Sequence, residues 1–408
     1  MKTLLPFLAL ASLIPALPGD SLAGDWPEFR GPDSTGVAPD AIIPGKPKID
    51  WSAPLPGRGL ASPIVIGSKV FIACSSGPQQ DRLHVICFSA DTGKKAWERQ
   101  LQATGRTMSH PKTAIASCTP CSDGQRVFAL WSSNDLAAFD LEGNLLWLRG
   151  LTTDYANASN SLGMASSPIV IGETVVTMIE NDSESYSLGI DAKTGRNLWK
   201  LERPKAANWT SPVAWRADRD SSPVAVLQST KGLLAVDPIS GSRLWEYTEG
   251  ASTMSSSVVA EGVIYAPSNG ITALAPKSNS PVPEQRWRSK QMNPSTISPV
   301  VLGKQLFSIN GAGVLTAADT ATGDNRWKLR LTGPFSGSPV AAGTQLVVVN
   351  EKGLVQVVDV AAPEGPLAGQ LQLPLKEETK ELILSTPALS GKHIFIRTDS
   401  TLWRLGES

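Results

Sequence analysis

The chain has 408 residues, 41% of them apolar, with Lys+Arg and Asp+Glu both at 37 and therefore no net charge. That apolar content is ample for a core, and the balanced charge gives no footing for a nucleic-acid or anionic-membrane partner. The 35 Gly and 31 Pro suit a chain with many turns, whereas 12 Trp against 4 Tyr ask for a structural reason.

The chain opens MKTLLPFLALASLIPALPGDSLAGDW. One Lys precedes an apolar run, and Ser21 and Ala23 are the small residues a signal peptidase needs at −3 and −1. This reads as a secretory signal peptide over 1–23, cleaved after Ala23. The competing reading is a membrane anchor, but Pro6, Pro15 and Pro18 break the run and it is short for a span. No cysteine follows it, so lipid attachment at a mature N-terminal Cys is not expected. The mature protein is expected to be periplasmic or secreted, soluble, and not a lipoprotein. Residues 24–47 read as an N-terminal extension.

From residue 48 onward the chain repeats itself. A small hydroxyl residue, usually followed by Pro, precedes a short apolar strand at Ser62, Thr119, Ser167, Ser211, Ser256, Ser298, Ser338 and Thr386. The gaps are 57, 48, 44, 45, 42, 40 and 48 residues. Periods of this size, built from short alternating strands, signal four-stranded propeller blades. In 297–331, ISPVV, KQLFSIN, GVLTAAD and RWKLRL are the four strands, and Thr322-Gly323 makes the last turn, where Gly supplies positive φ.

A second phrase recurs before each new unit: GIDAKTGRNLW (189–199), AVDPISGSRLW (235–245), AADTATGDNRW (317–327), FSADTGKKAW (88–97) and FDLEGNLLW (139–147). In all five the Trp follows the Gly by four residues. Inner strands crowd around an axis and favour small residues and an initial Pro. Outer strands leave gaps between blades that a Trp can fill. On this reading Trp51, Trp97, Trp147, Trp199, Trp245, Trp287 and Trp327 are structural docking residues. Blade five replaces the Thr-Gly turn with PKSNSPVPEQRW, and blade seven has Gly369 where a Trp is expected. The charged insert 373–382 is expected to be solvated.

Trp51 lies 11 residues before Ser62, the spacing Trp245, Trp287 and Trp327 keep to the next unit, so IDWSAPL is a fourth strand with no blade before it. The C-terminal unit supplies three strands. The fold class is therefore all-β: a single eight-bladed β-propeller over 48–408, its ring closed by the N-terminal strand completing the last blade. A seven-bladed ring with a separate piece is the competing count.

The pattern A-x-D-x-x-T-G-x-x-x-W, complete at Ala317, Asp319, Thr322, Gly323 and Trp327, resembles the tryptophan-docking motif of the eight-bladed pyrroloquinoline-quinone-like (PQQ-like) repeat family. The resemblance covers about 48 to 408. DWPEFRGP (25–32) also resembles the start of many secreted bacterial proteins of this superfamily. It implies either of two activities, because the superfamily holds both quinoprotein dehydrogenases and non-enzymatic members such as the assembly lipoprotein BamB, and function sits in sites rather than folds.

A dehydrogenase would need PQQ and a Ca²⁺ held by six to eight oxygens. The family's alcohol dehydrogenases also carry a disulfide between adjacent cysteines, and this chain has no Cys-Cys pair and lacks long insertions. Glu180, Asn181, Asp182 and Glu184 form the best local acid cluster, alternatively a solvated hairpin turn. Cys74, Cys87, Cys118 and Cys121 are candidate disulfide partners in an exported chain, with Cys74 and Cys87 expected to face each other across one hairpin. Cys118-Thr-Pro-Cys121 falls on an innermost strand, not at the helix N-terminus that would activate a thiol. It is followed by Ser122 rather than a haem-ligating His, and no second ligand pair suggests zinc. His84 and His393 lie in apolar strands and read as packed or edge residues, whereas His110 sits in the long loop RTMSHPKT. The loops 102–117 and 150–165 are the longest connections, where binding sites tend to lie. The leading expectation is an exported, non-enzymatic binding or scaffold platform with no cofactor, engaging a protein or small ligand on one face. The alternative is a PQQ- and Ca²⁺-dependent dehydrogenase.

Overall fold

The structure is a computed structural model that describes residues 24–158, 162–218, 220–277, 280–376, 378 and 380–408. The leader expected over 1–23 lies outside the described residues. The chain forms eight four-stranded antiparallel sheets. Seven follow chain order: blade one runs from Ile64 to Gln102, two from Cys121 to Gly150, three from Ile169 to Glu202, four from Val213 to Tyr247, five from Val258 to Ser289, six from Val300 to Arg330 and seven from Val340 to Gln372. Blade eight takes three strands from Ala388 to Glu407 and its outermost strand, Pro47–Pro54, from the other end of the chain. Pro47 pairs with Glu407 and Pro54 with Thr401. The eight-bladed count with N-terminal closure therefore holds, and inner strands of blades one and eight are neighbours.

A hydrogen-bonded hoop runs around the axis at the eight hydroxyl residues. The backbone N–H of Ser62 donates to Thr119 Oγ1, Thr119 to Ser167 Oγ, Ser167 to Ser211, Ser211 to Ser256, Ser256 to Ser298, Ser298 to Ser338, Ser338 to Thr386 and Thr386 back to Ser62, all at 2.9–3.1 Å. This is why the repeat demands Ser or Thr there. Each amide faces the neighbouring blade, is buried, and needs an acceptor in it. The Pro that usually follows keeps the hydroxyl residue extended and brings no donor of its own.

The outer motif has an equally local cause. Every third-to-fourth strand ladder carries a β-bulge beside the Trp position. The residue opposite the Trp is small in six blades: Cys87, Ala138, Gly189, Ala235, Ala273 and Ala317. The Asp of the motif caps the turn, as Asp319 Oδ1 does for the N–H groups of Ala321 and Thr322. The Gly and Trp of one phrase serve different junctions. Gly323 has φ +77° and lies beneath Trp287 of the preceding blade, while Trp327 lies over Gly365 of the next.

Residues 24–46 do not hang from the propeller. Trp26 bridges to Val65 in blade one, and Ser122 of blade two donates to Pro27 O. Arg30 Nη2 donates to Ser257 O in blade five at 2.8 Å. Ala38 and Ala341 pair in blade seven, and Ile42 N–H reaches Gly391 O in blade eight. The segment thus crosses one face of the ring and plugs the axis. Glu28 is buried there and accepts from Ser34 Oγ at 2.7 Å. Burial pushes its carboxyl up to about 8, against the Ser34 hydrogen bond.

Two expectations are corrected. The insert 373–382 is only partly solvated: Leu373 is buried, and buried Glu381 accepts from Ser400 N–H and Oγ. The cysteines are all free and buried. The hairpin register sets Cys74 opposite His84 and Cys87 opposite Phe71, so the two thiols do not face each other. Burial pushes Cys87 up to about 12 and raises Cys74, Cys118 and Cys121, which makes inert thiols of all four.

Candidate functional site

On the face opposite the plug the axis opens into a funnel of about 600 Å³. Its base is the hoop of eight hydroxyls, with the ring of Phe29 from the plug exposed to it from below. Two residues upstream of each hoop position comes a second tier: Leu60, Ser117, Ala165, Trp209, Met254, Thr296, Ser336 and Leu384. The repeat that builds the hoop therefore also builds the wall, because alternate residues of an extended chain share a face. Sequence inspection located the hoop positions but missed that they and this tier enclose a cavity.

The mouth is made by the two long loops. His110, Lys112 and Thr113 come from the first and Leu162 from the second. His110 N–H and Thr113 Oγ1 both donate to Leu162 O, at 3.0 and 2.8 Å, which ties the loops together. Trp209 is held from outside the funnel: its indole N–H donates to Gly163 O at 2.8 Å. Behind it, Asn208 Nδ2 donates to Glu180 Oε2 at 2.9 Å and to Gln228 O at 2.8 Å, and its Oδ1 accepts from Thr210.

The acid cluster of blade three is dispersed by this arrangement. Glu180 is buried, not a solvated turn residue, and pairs with Arg203 at 2.6 Å. Burial raises its carboxyl despite Arg203 and Asn208. Asn181 is buried and turns back on its own hairpin, donating to Glu184 O at 2.7 Å. Asp182 is exposed, and Glu184 pairs with Lys200. None of the four lines the funnel.

The funnel's own charge is sparse. Glu351 is 8% exposed and its Oε1 accepts from Ser336 Oγ at 2.7 Å. Lys112 is exposed at the mouth, and no arginine lines the cavity among the described residues. Among these residues, no group of three or more His, Cys, Asp or Glu comes together to hold a metal ion. The donor set does not fit the family's cofactor pair. A Ca²⁺ wants several carboxylate oxygens at one point, and a quinone bearing several carboxylates wants cationic partners.

One constellation was invisible in the sequence. Ser76 Oγ lies 2.7 Å from His84 Nε2, and His84 Nδ1 lies 2.8 Å from Glu98 Oε1. The spacing matches a nucleophile–base–acid triad, assembled by register across three strands of blade one. His84 is buried, and Gly57 packs against the Ser76 side chain so closely that a Cβ there would stand 2.9 Å from Ser76 Cβ. None of its three residues lines the funnel. His393 lies at the ring closure, 3.8 Å from Asp50.

The docking tryptophans form a belt outside the funnel. The indole N–H groups of Trp51, Trp97, Trp147, Trp199 and Trp287 donate to Ala90, Leu141, Ala192, Pro238 and Thr320 of the next blade at 2.8–3.0 Å. Trp245 and Trp327 belong to the same belt without such a bond, and no helix among the described residues is long and apolar enough to cross a membrane.

No curated protein matches the sequence at a significant level. Among solved structures, BamB from Moraxella catarrhalis aligns with a TM-score of 0.64 at 16% identity, over 88% of this chain and 97% of that one. Quinohemoprotein alcohol dehydrogenase from Comamonas testosteroni aligns at 0.70 and 14% identity, over 94% and 81%. A europium-containing methanol dehydrogenase aligns at 0.57 and 10%, over 94% and 98%. These likenesses are of fold. The family model described as outer membrane protein assembly factor BamB matches residues 45–188, 163–276 and 268–402, and with nearly the whole propeller so covered, the chain belongs to that family of PQQ-like repeat propellers.

Proposed function

We propose that this protein is an exported, non-enzymatic binding platform, a rigid disc that engages a protein or small ligand through the funnel face. The observation that carries the reading is the funnel itself. It is closed below by Phe29, floored by neutral hydroxyls, and offers one carboxylate that is already engaged by Ser336. Among the described residues the lining offers His110 at the mouth and no cluster of carboxylates that would set a base beside a Ca²⁺ site. The kinship with BamB makes a protein partner in the periplasm a natural candidate, and the secretory leader agrees with that compartment.

The test is calorimetric titration of the mature protein with PQQ plus Ca²⁺, alongside a dye-linked oxidation assay. The expected result is no heat, no shift in melting temperature and no dye reduction. Saturable binding at micromolar or tighter concentration would overturn the reading and make the chain a quinoprotein.

A further inference from the structure

We infer that the funnel binds a short neutral saccharide, with Trp209 as its stacking wall and the hydroxyl hoop as its polar floor. The proposal deepens the reading of this cavity as a non-catalytic binding site and rests on it.

The hoop fixes what the floor can offer. Each of the eight oxygens already accepts one backbone N–H, at 2.9–3.1 Å. Each hydroxyl therefore retains one proton to donate and one lone pair to accept. A hydrocarbon ligand would strand these groups against an apolar surface, at the cost of burying unpaired polar atoms. An inorganic anion would use only the donors, and it would ask for a cation at the floor, whereas the described lining places Lys112 and His110 at the mouth. A metal cation would ask for clustered carboxylates, and Glu351 stands alone with Ser336 on it. A ligand hydroxyl, which donates and accepts at once, matches the floor in both senses.

The walls narrow the class further. Trp209 presents aromatic surface, with Met254 on the same tier and Leu162 at the mouth, and Phe29 adds a second ring at the base. Apolar faces beside a floor of amphoteric hydroxyls suit a molecule with C–H faces and hydroxyl edges, which is the make-up of a pyranose ring. Trp209 is pre-set for this contact: its backbone N–H is bonded to Thr253 O at 2.8 Å and its indole N–H to Gly163 O at 2.8 Å, so little side-chain freedom remains to be lost on binding. A volume of about 600 Å³ lies within the range of small-molecule sites.

The experiment titrates the mature protein with neutral trisaccharides of glucose, xylose and N-acetylglucosamine, read by calorimetry and tryptophan fluorescence. Saturable binding of at least one is expected. Trp209→Ala should weaken it about tenfold, Trp209→Phe should retain most of it, and Lys193→Gln, in the exposed outer turn of blade three, should leave it unchanged. If Trp209→Ala does not fold, Met254→Ala, at an exposed residue of the same tier, probes the wall with a smaller loss expected. Absence of binding across the panel, affinity indifferent to both wall variants, or binding confined to acidic sugars and abolished by Lys112→Gln would each overturn the proposal. Oxidation of a bound sugar with dye reduction would instead overturn the non-catalytic reading and leave the ligand class standing.

Discussion

The junction between blades three and four and the junction between blades four and five are built from the same phrase and end differently. At the first, Trp199 lies on Gly241, whose φ is +70°, and its indole N–H reaches Pro238 O at 2.8 Å. At the second, the receiving turn has become the proline-containing loop after Ala275, with no glycine to lie on. The buried indole N–H of Trp245 finds no acceptor among the described residues, and the ring settles edge-on to Trp215 at 6.1 Å instead. A third case lies between blades seven and eight. There Gly369 replaces the Trp, and the entering backbone at Gly45 occupies the room: a Cβ on Gly369 would stand 2.0 Å from Gly45 O. The belt thus depends on the receiving turn as much as on the tryptophan, and where the turn changes, the same residue keeps its area burial and loses its polar bond.

The sharpest way to break the comparison is Trp199→Ala. It should lower stability by about 3–5 kcal/mol, the range for truncating a buried Trp, measured by denaturant unfolding with the slope unchanged. A loss no greater than that of an exposed substitution would show that the belt does not hold blades together.

Next in size comes the pH dependence of the third junction, because the plug that feeds Gly45 into it carries Glu28. With its carboxyl raised to about 8 in the fold, Glu28 keeps a proton that the unfolded chain releases near 4.5. The stability that Glu28 contributes is therefore greatest below the unfolded value and falls as pH rises toward 8, by on the order of a few kcal/mol across that window. Glu28→Gln should flatten the profile. A wild-type melting curve equally flat between these limits would contradict the buried, protonated carboxyl.

Gly369→Ala, a step toward restoring the missing Trp, should destabilise by about 1–3 kcal/mol through overpacking against Gly45. A stabilised variant would mean that the entering strand can move aside. The smallest and most discriminating effect is the paired change to Phe. Trp199→Phe gives up a buried hydrogen bond and leaves Pro238 O short of a donor, at a cost of about 1–3 kcal/mol. Trp245→Phe gives up similar area but a donor with no partner among the described residues, so its loss should be smaller than that of Trp199→Phe by about 1 kcal/mol. Equal losses at the two sites would erase the distinction between the junctions.

What was legible in the sequence follows the same division. Strand order, blade count and closure were readable because each copy repeats its local requirement: a hydroxyl for the neighbour's amide, a small residue opposite the bulge, a glycine at the turn. The plug was not, since Trp26, Arg30 and Val37 occur once and their path across the ring is set by contacts with distant blades. Glu180 looked like a turn residue because nothing near it in sequence announces Arg203 and Asn208. The cysteine pairing failed on register, which alternation alone does not fix when both faces of a strand are apolar. The cavity lay between: its eight floor residues were visible as a list, and only closure into a ring made them a surface.

The hoop has one further property. All eight of its bonds run in the same rotational sense, and the bond from Thr386 to Ser62 that spans the chain's ends is 3.1 Å long, no different in kind from the other seven. Within the hoop itself, no bond marks where the polypeptide begins. In the sheets the seam lies at the rim, where Pro47–Pro54 lies beside Thr401–Glu407. Cutting the chain at any exposed inter-blade loop and joining the old ends there would leave the axial circuit as it is, which makes the starting point of the polypeptide a matter of descent rather than of mechanics.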